Sequence, residues 1–265
     1  MNRTLFKKEW KSNYKILLLF MAVLTMYAWM IISMFDPKLG ESLEEMAASM
    51  PQLFAAFGMM EAGTTLLEFI SNYLYGFLLI AFPVVYIIIL SNKLMSRYID
   101  RGSMAYLLAT PNKRSKIAIT QAVVLILHLF LLSGYVCILC ILTGESMFPG
   151  ELEISKFITV NIGLYGLLFF LSGICFFSSC VWKEARISYG VSSGCMIAFI
   201  LIQMISQVGD KFEKLKYLTP LTLFNTKGLM AGEKDAVLAV ITLYIAGMLF
   251  YGAGVYIFDK RDLAL

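Results

Sequence analysis

Six stretches of this chain contain no Asp, Glu, Lys or Arg: approximately Ile16–Phe35, Phe69–Leu90, Ile117–Thr143, Phe157–Val181, Ile187–Gln207 and Ala236–Phe258. Each runs for about 20 residues or more, enough at 1.5 Å per residue to cross a hydrocarbon core roughly 30 Å thick. A charge at mid-bilayer costs several kcal/mol, so its absence from every stretch is what lipid demands of a spanning segment. Backbone polar groups in lipid need partners within the segment, which a helix supplies. The sequence therefore predicts an all-α integral membrane protein with six transmembrane helices.

The charged residues between these runs are sorted by side. Counting Lys and Arg, 15 fall in residues 1–15, 93–116, 182–186 and 259–265, and 7 fall in the three alternate loops. Five of those seven lie in one loop, Val208–Asp235. Positive residues accumulate on the cytoplasmic side, so both termini are predicted to be cytoplasmic in a multi-pass protein of a bacterial cell membrane. The first run is too long for a typical signal core and lacks a small-residue cleavage pattern before Asp36-Pro37, so it is read as a retained span. With 59% hydrophobic residues, the loops leave no room within this chain for an ATPase, kinase or receptor module. The net charge of +4 is dispersed by side, not pooled into a nucleic-acid surface.

Little catalytic chemistry is available inside the spans. The polar side chains that stand out are His128, Gln121, Asn161, Gln203 and Gln207. A hydrolase or transferase needs paired carboxylates, a Ser/His pair or a metal cluster, and one histidine without intramembrane acids assembles none of these. Ion-coupled carriers place carboxylates or histidines at mid-membrane, and here His128 reads as a packed, neutral histidine. Cys137 and Cys140 formally make a C-x-x-C, yet like Cys175, Cys180 and Cys195 they sit among aliphatic residues as apolar thiols. No catalytic residue, metal ligand or bound cofactor is expected of this chain.

The segments outside the spans carry more information. In residues 1–15, Phe6, Trp10 and Tyr14 share a helical face among five cations, the pattern of an interfacial helix lying against anionic lipid. Leu43–Met60 has helical apolar spacing interrupted by Pro51, which predicts two short helices that either gate or cap the outer end. In Ser96–Lys116, Met104, Leu107 and Leu108 fall at i, i+3 and i+4 after Gly102-Ser103 and before Pro111, a brief helix suited to docking a soluble partner. Tyr217–Met230, with Pro220 and Phe224, is too apolar for a hydrated loop and too short for a span, so a re-entrant or interfacial segment is expected. Gly190 and Gly194 form a G-x-x-x-G within the fifth run, a surface on which two helices approach closely.

Four stretches stand in order along the chain: Met50-Pro-Gln-Leu-Phe-Ala-Ala-Phe-Gly58, Arg101-Gly-Ser-Met-Ala-Tyr-Leu-Leu-Ala-Thr-Pro111 with Lys113-Arg114, Tyr217-Leu-Thr-Pro-Leu-Thr-Leu-Phe224, and Phe258-Asp-Lys-Arg-Asp-Leu263. Together with the six spans they resemble the permease subunit of a type-2-class ABC exporter. The resemblance covers nearly the whole chain. It departs from the family pattern at Arg101 and Ala105, where acidic residues are frequent. It implies an N-terminal elbow helix over residues 1–15 and a cytoplasmic coupling helix between the second and third spans. That helix would carry Arg101, Gly102, Ser103, Met104, Tyr106, Leu107, Leu108 and Pro111 onto a separate ATP-binding subunit, which holds ATP and Mg. It further implies a second permease copy meeting this one at Gly190 and Gly194, and an external gate or re-entrant segment at Tyr217, Pro220 and Phe224.

The resulting expectation is a permease without its own ATPase activity, exporting a hydrophobic or amphipathic solute such as a peptide antibiotic. A membrane scaffold for a soluble partner, or an ion-coupled carrier, would share much of this sequence. Substrate-dependent ATP turnover separates them.

Overall fold

Each of the six apolar runs lies within or along a long helix in the computed structural model, which describes residues 1–35, 48–58, 63, 65–96, 98, 113–182, 184–208 and 210–260. The spans are Arg3–Ser33, Leu66–Leu94, Arg114–Met147, Ile154–Val181, Ala185–Gln207 and Lys234–Lys260, each long and apolar enough to cross a membrane. No strand occurs among the described residues. One end of the bundle gathers Asn2, Ser115 and Asp259, and is called the terminal end: the Asn2 N–H donates to Thr120 Oγ1 at 2.8 Å and the Ser115 N–H to Asp259 Oδ1 at 2.9 Å. The opposite, loop end holds Pro51–Ala56 and residues 210–232.

The first span corrects an expectation. Residues 3–15 are not a separate elbow helix; they are the opening turns of one 31-residue helix that starts at the side-chain cap of Asn2. Neither Gly nor Pro interrupts residues 3–33, so nothing in the sequence breaks the backbone where the charged half meets the apolar half. The buried stripe is Leu5, Glu9, Asn13, Leu17, Phe20, Leu24, Ala28 and Ile31, spaced by three or four residues throughout. Phe6 and Trp10 are half-buried beside it and Tyr14 is exposed, so the aromatic face expected to lie on lipid partly packs on protein. Trp10 meets the His128 ring at 4.7 Å.

The fourth span is the centre of the bundle. Its apolar stretch is 72% buried, against 17% for the fifth span, which therefore lies at the protomer's edge. The sixth span packs along the fourth through small residues. A Cβ on Gly173 would stand 3.0 Å from Gly247 O, and one on Gly247 2.6 Å from Phe169 Cδ1, so the two backbones approach as they do only because both positions are glycine. Polar side chains fasten the same contact: Tyr251 Oη donates to Ser172 Oγ at 2.8 Å and Tyr244 Oη to Ile162 O at 2.9 Å.

The second span is not one regular helix. Thr65 and Glu68 form a capping box, Leu66–Ile70 follows as α-helix, and Ser71–Tyr75 is a π-helical turn before Leu78–Leu94. Gly76 sits at the break, where a Cβ would lie 2.8 Å from Phe57 O. Only a glycine lets the loop-end segment come this close to the span. Such π-turns recur at functional sites, and Ser71, Asn72 and Tyr75 of this one line a cleft at the loop end.

Candidate functional site

Of the segments that the sequence singled out, Arg101, Gly102, Ser103, Met104, Tyr106, Leu107, Leu108 and Pro111 lie outside the described residues. Their flanks are held by polar contacts. Tyr98 Oη donates to Glu9 Oε1, and the Lys8 ammonium stands 5.1 Å from the centre of the Tyr98 ring. Asn13 Nδ2 donates to Glu9 O at 2.8 Å and to Glu9 Oε2 at 3.3 Å, and Lys93 Nζ to Ser12 O at 3.2 Å. Glu9 and Asn13 are thus buried polar residues on the packed stripe of the first span. Sequence reading missed them, although their i, i+4 spacing in line with Leu5 and Leu17 carried the signal.

Beside them, Asn92 joins the second span to the fifth. Its Nδ2 donates to Ser192 Oγ at 3.2 Å and to Ile88 O at 2.9 Å, while its Oδ1 accepts from Ser188 Oγ at 2.8 Å and Ser96 Oγ at 3.3 Å. Ser188 and Ser192 were visible in sequence only as small residues near the glycine motif. The helix turns 100° per residue, so they face inward while Gly190 and Gly194 face out. A Cβ on either glycine would have nothing within 4 Å in the protomer.

At the loop end, a cleft of ≈ 520 Å³ is lined by the π-turn, by Gln203 and Gln207 of the fifth span and by residues of 216–227. That size falls in the range of small-molecule sites, ~300–1,000 Å³. Residues 210–230 form neither a span nor an open loop. Asp210–Leu218 and Pro220–Leu223 are 3₁₀ turns and Thr226–Ala231 is a short helix, an arrangement in keeping with the compact segment expected there. Thr219 pins it by donating to Phe199 O at 3.2 Å and accepting from the Leu221 N–H at 3.3 Å.

Of the three residues singled out here, Tyr217 and Phe224 line the cleft, whereas Pro220 only begins the second 3₁₀ turn. Tyr217 is 81% exposed and Phe224 is buried, with its ring centre 6.5 Å from that of Tyr75. Tyr75 Oη in turn donates to Asn161 Oδ1 at 2.9 Å, which fixes the π-turn to the central span. Asn72, Tyr75 and Gly76 were not anticipated; a polar Asn within a charge-free run was their one trace in the sequence. In the amide orientation that satisfies both of its ends, Gln207 donates to Ala55 O at 3.1 Å and accepts from Gln203 Nε2 at 3.0 Å. It thereby ties the helix Pro51–Ala56, which starts at the proline as expected, to the fifth span.

No group of three or more His, Cys, Asp or Glu able to hold a metal occurs among the described residues. None of the five cysteines is in a disulfide.

Comparison with known proteins decides the family. The model of the ABC-2 family transporter proteins matches residues 3–263, nearly the full length. This chain belongs to the ABC-2 transporter family. No curated protein matches it significantly. The six helices are thus those of an ABC-2 permease domain, a multi-pass membrane protein.

Proposed function

We propose that this ABC-2 permease works as a pair of identical chains with two ATP-binding subunits, and carries a hydrophobic or amphipathic solute, such as a peptide antibiotic, out of a bacterial cell. The observation that supports this best is the fifth span. It is the least buried of the six, its Gly190–Gly194 face is uncovered, and its loop end lines a solute-sized cleft. A helix that is apolar, small-faced and open on one side is suited to meet its own copy in lipid. Two clefts would then lie close to the two-fold axis.

In this reading the terminal end is cytoplasmic, as the distribution of Lys and Arg favours. The segment Arg101–Pro111 docks on the ATP-binding subunit, which hydrolyses ATP with Mg. Closure of that subunit pair pulls on the second span beside Asn92 and so on the fifth. Residues 3–15 lie at the cytoplasmic surface with Lys7, Lys8, Lys11 and Lys15 towards anionic headgroups. Tyr217 and Phe224 belong to the outer gate.

Purification from the native membrane in mild detergent tests the proposal. A stoichiometric soluble ATPase subunit is expected, with hydrolysis that falls to the level of the isolated ATPase when Tyr106 and Leu107 are both changed to Glu. A six-span protein that purifies alone and hydrolyses nothing overturns it.

A further inference from the structure

The backbone of the second span is interrupted twice, about two turns apart. At Phe77 a φ of −137° takes the chain out of helical geometry between the π-turn and Leu78–Leu94. At Pro83, inside that helix, the missing N–H leaves the Leu79 carbonyl without its helical donor. The pieces on either side are held by different neighbours. Tyr75, at the end of the π-turn, is bonded to Asn161 of the fourth span at 2.9 Å, and its ring centre lies 5.9 Å from that of Phe157. Beyond Pro83, Asn92 is bonded to Ser188 and Ser192 of the fifth span and Lys93 to Ser12 O of the first. Tyr98, just past the helix, is bonded to Glu9 of the first span as well. The helix Pro51–Ala56 reaches the same break, because the Phe57 ring meets that of Phe77 edge-on at 5.0 Å.

We infer that Gly76–Pro83 is a joint in the second span, and that bending there sets the width of the cleft. One wall of the cleft is the π-turn, which is fixed to the fourth span; the other is Gln203 and Gln207 of the fifth. The fifth span is bonded to the far piece of the second through Asn92, so a change of angle at the joint moves one wall relative to the other. A kink of about 20°, over the roughly 14 Å from Pro83 to Asn92, displaces that end by about 5 Å. An unbroken helix resists such bending with its backbone hydrogen bonds, and here the ladder is already open at both ends of the joint. The inference rests on the permease reading for the force, which motion of an ATP-binding subunit at the terminal end would supply. The joint itself needs no partner.

Hydrogen exchange and spin-label distances, on the full-length protein in phosphatidylcholine nanodiscs, test the inference. Backbone amides of residues 76–84 are expected to exchange faster than those of 86–94. Pro83→Ala restores an N–H and should slow exchange in 76–84 roughly five- to tenfold, the worth of one hydrogen bond. Labels at Ile158→Cys and Ile205→Cys, exposed sites on the fourth and fifth spans outside the cleft lining, read its width in a background without native cysteines. The native sequence should give distances spread over about 5 Å, and Pro83→Ala a narrower distribution. Should Pro83→Ala lower the thermal midpoint, the exchange pattern and the spread of distances in the native sequence decide alone. Exchange in 76–84 no faster than in 86–94, a single narrow distance in the native sequence, or a distribution that a stable Pro83→Ala leaves unchanged overturns the inference, even if an ATPase co-purifies. Fast exchange and a broad distribution in a protein that no ATPase accompanies leave the joint standing and remove the transport reading instead.

Discussion

Ser188 donates to Asn92 across 2.8 Å, and both side chains are buried. Ser188 has one hydroxyl proton, and with Asn92 taking it, the 3.3 Å approach to Ser179 Oγ is the weaker of its two donor contacts. Ser192 uses its own proton on Ser188 O at 2.6 Å and accepts from Asn92. The three side chains therefore form a closed set of donors and acceptors between the second and fifth spans. In lipid no water waits to replace a lost partner, so the set holds two helices in one relation.

Replacing Asn92 by Leu keeps the volume, takes the acceptor from Ser96 and the donor from Ser192, and leaves Ser188 only the longer contact to Ser179. The expected cost is about 1–3 kcal/mol by the penalty for unsatisfied buried groups, and nearer 1 if the average for membrane side-chain pairs applies. Reactivity of the buried thiols Cys140, Cys175 and Cys180 on heating gives the midpoint. A midpoint equal to that of the native chain would show that the cluster adds no stability.

The fourth and sixth spans set a steric limit. Gly173→Leu forces a side chain onto the backbone of Gly247, where even Cβ stands 3.0 Å from the carbonyl oxygen. Overpacking of this kind costs about 1–3 kcal/mol or more. Gly134→Leu, where a Cβ has nothing within 4 Å, is the matched control and should be silent. The yield of monodisperse protein in detergent reads both, and equal yields would refute the close approach.

The six spans were legible because lipid imposes a single, strong rule: no charge for about 20 residues. The same rule explains what stayed hidden. Helix ends of Arg114–Met147 and Lys234–Lys260 extend past the apolar runs because a helix continues into water until a cap or breaker stops it, and hydropathy does not mark that point. The continuous first span was missed for a related reason, since a change in charge at Lys15 is not a change in backbone preference. Glu9 and Asn13 drew no reading in a segment taken for its cations and aromatics; their burial, with Tyr98 donating to Glu9, is a matter of tertiary packing. The cleft depended on the π-turn at Ser71–Tyr75, a register shift without a sequence signature of its own, whereas Tyr217 and Phe224 could be picked out because their segment was too apolar for water.

Tyr75→Phe removes the donor that holds Asn161 Oδ1 and leaves that acceptor buried. The Asn161 amide still donates to Phe157 O at 2.9 Å, so the fourth helix itself should persist. A loss of about 1–2 kcal/mol is expected, read by thermal unfolding. An unchanged midpoint would mean that the hydroxyl does not fix the π-turn.

Pairing through the fifth span gives the sharpest separation of fold from assembly. Gly190→Leu with Gly194→Leu adds two side chains where the protomer has open space, so the thermal midpoint of the protomer should move by less than about 0.5 kcal/mol in stability, as for a surface change. The inward set of Ser188, Ser192 and Asn92 lies on the other face and keeps its hydrogen bonds. Close approach between two copies, in contrast, requires a surface without side chains, and the leucines hold the helices apart. Disulfide cross-linking between Val191→Cys on two copies, in a background without native cysteines, is therefore expected to be efficient in the native sequence and lost in the double leucine variant. Cross-linking that survives the leucines would place the pairing surface elsewhere on the bundle, and a collapsed thermal midpoint would show that the glycines serve the protomer instead.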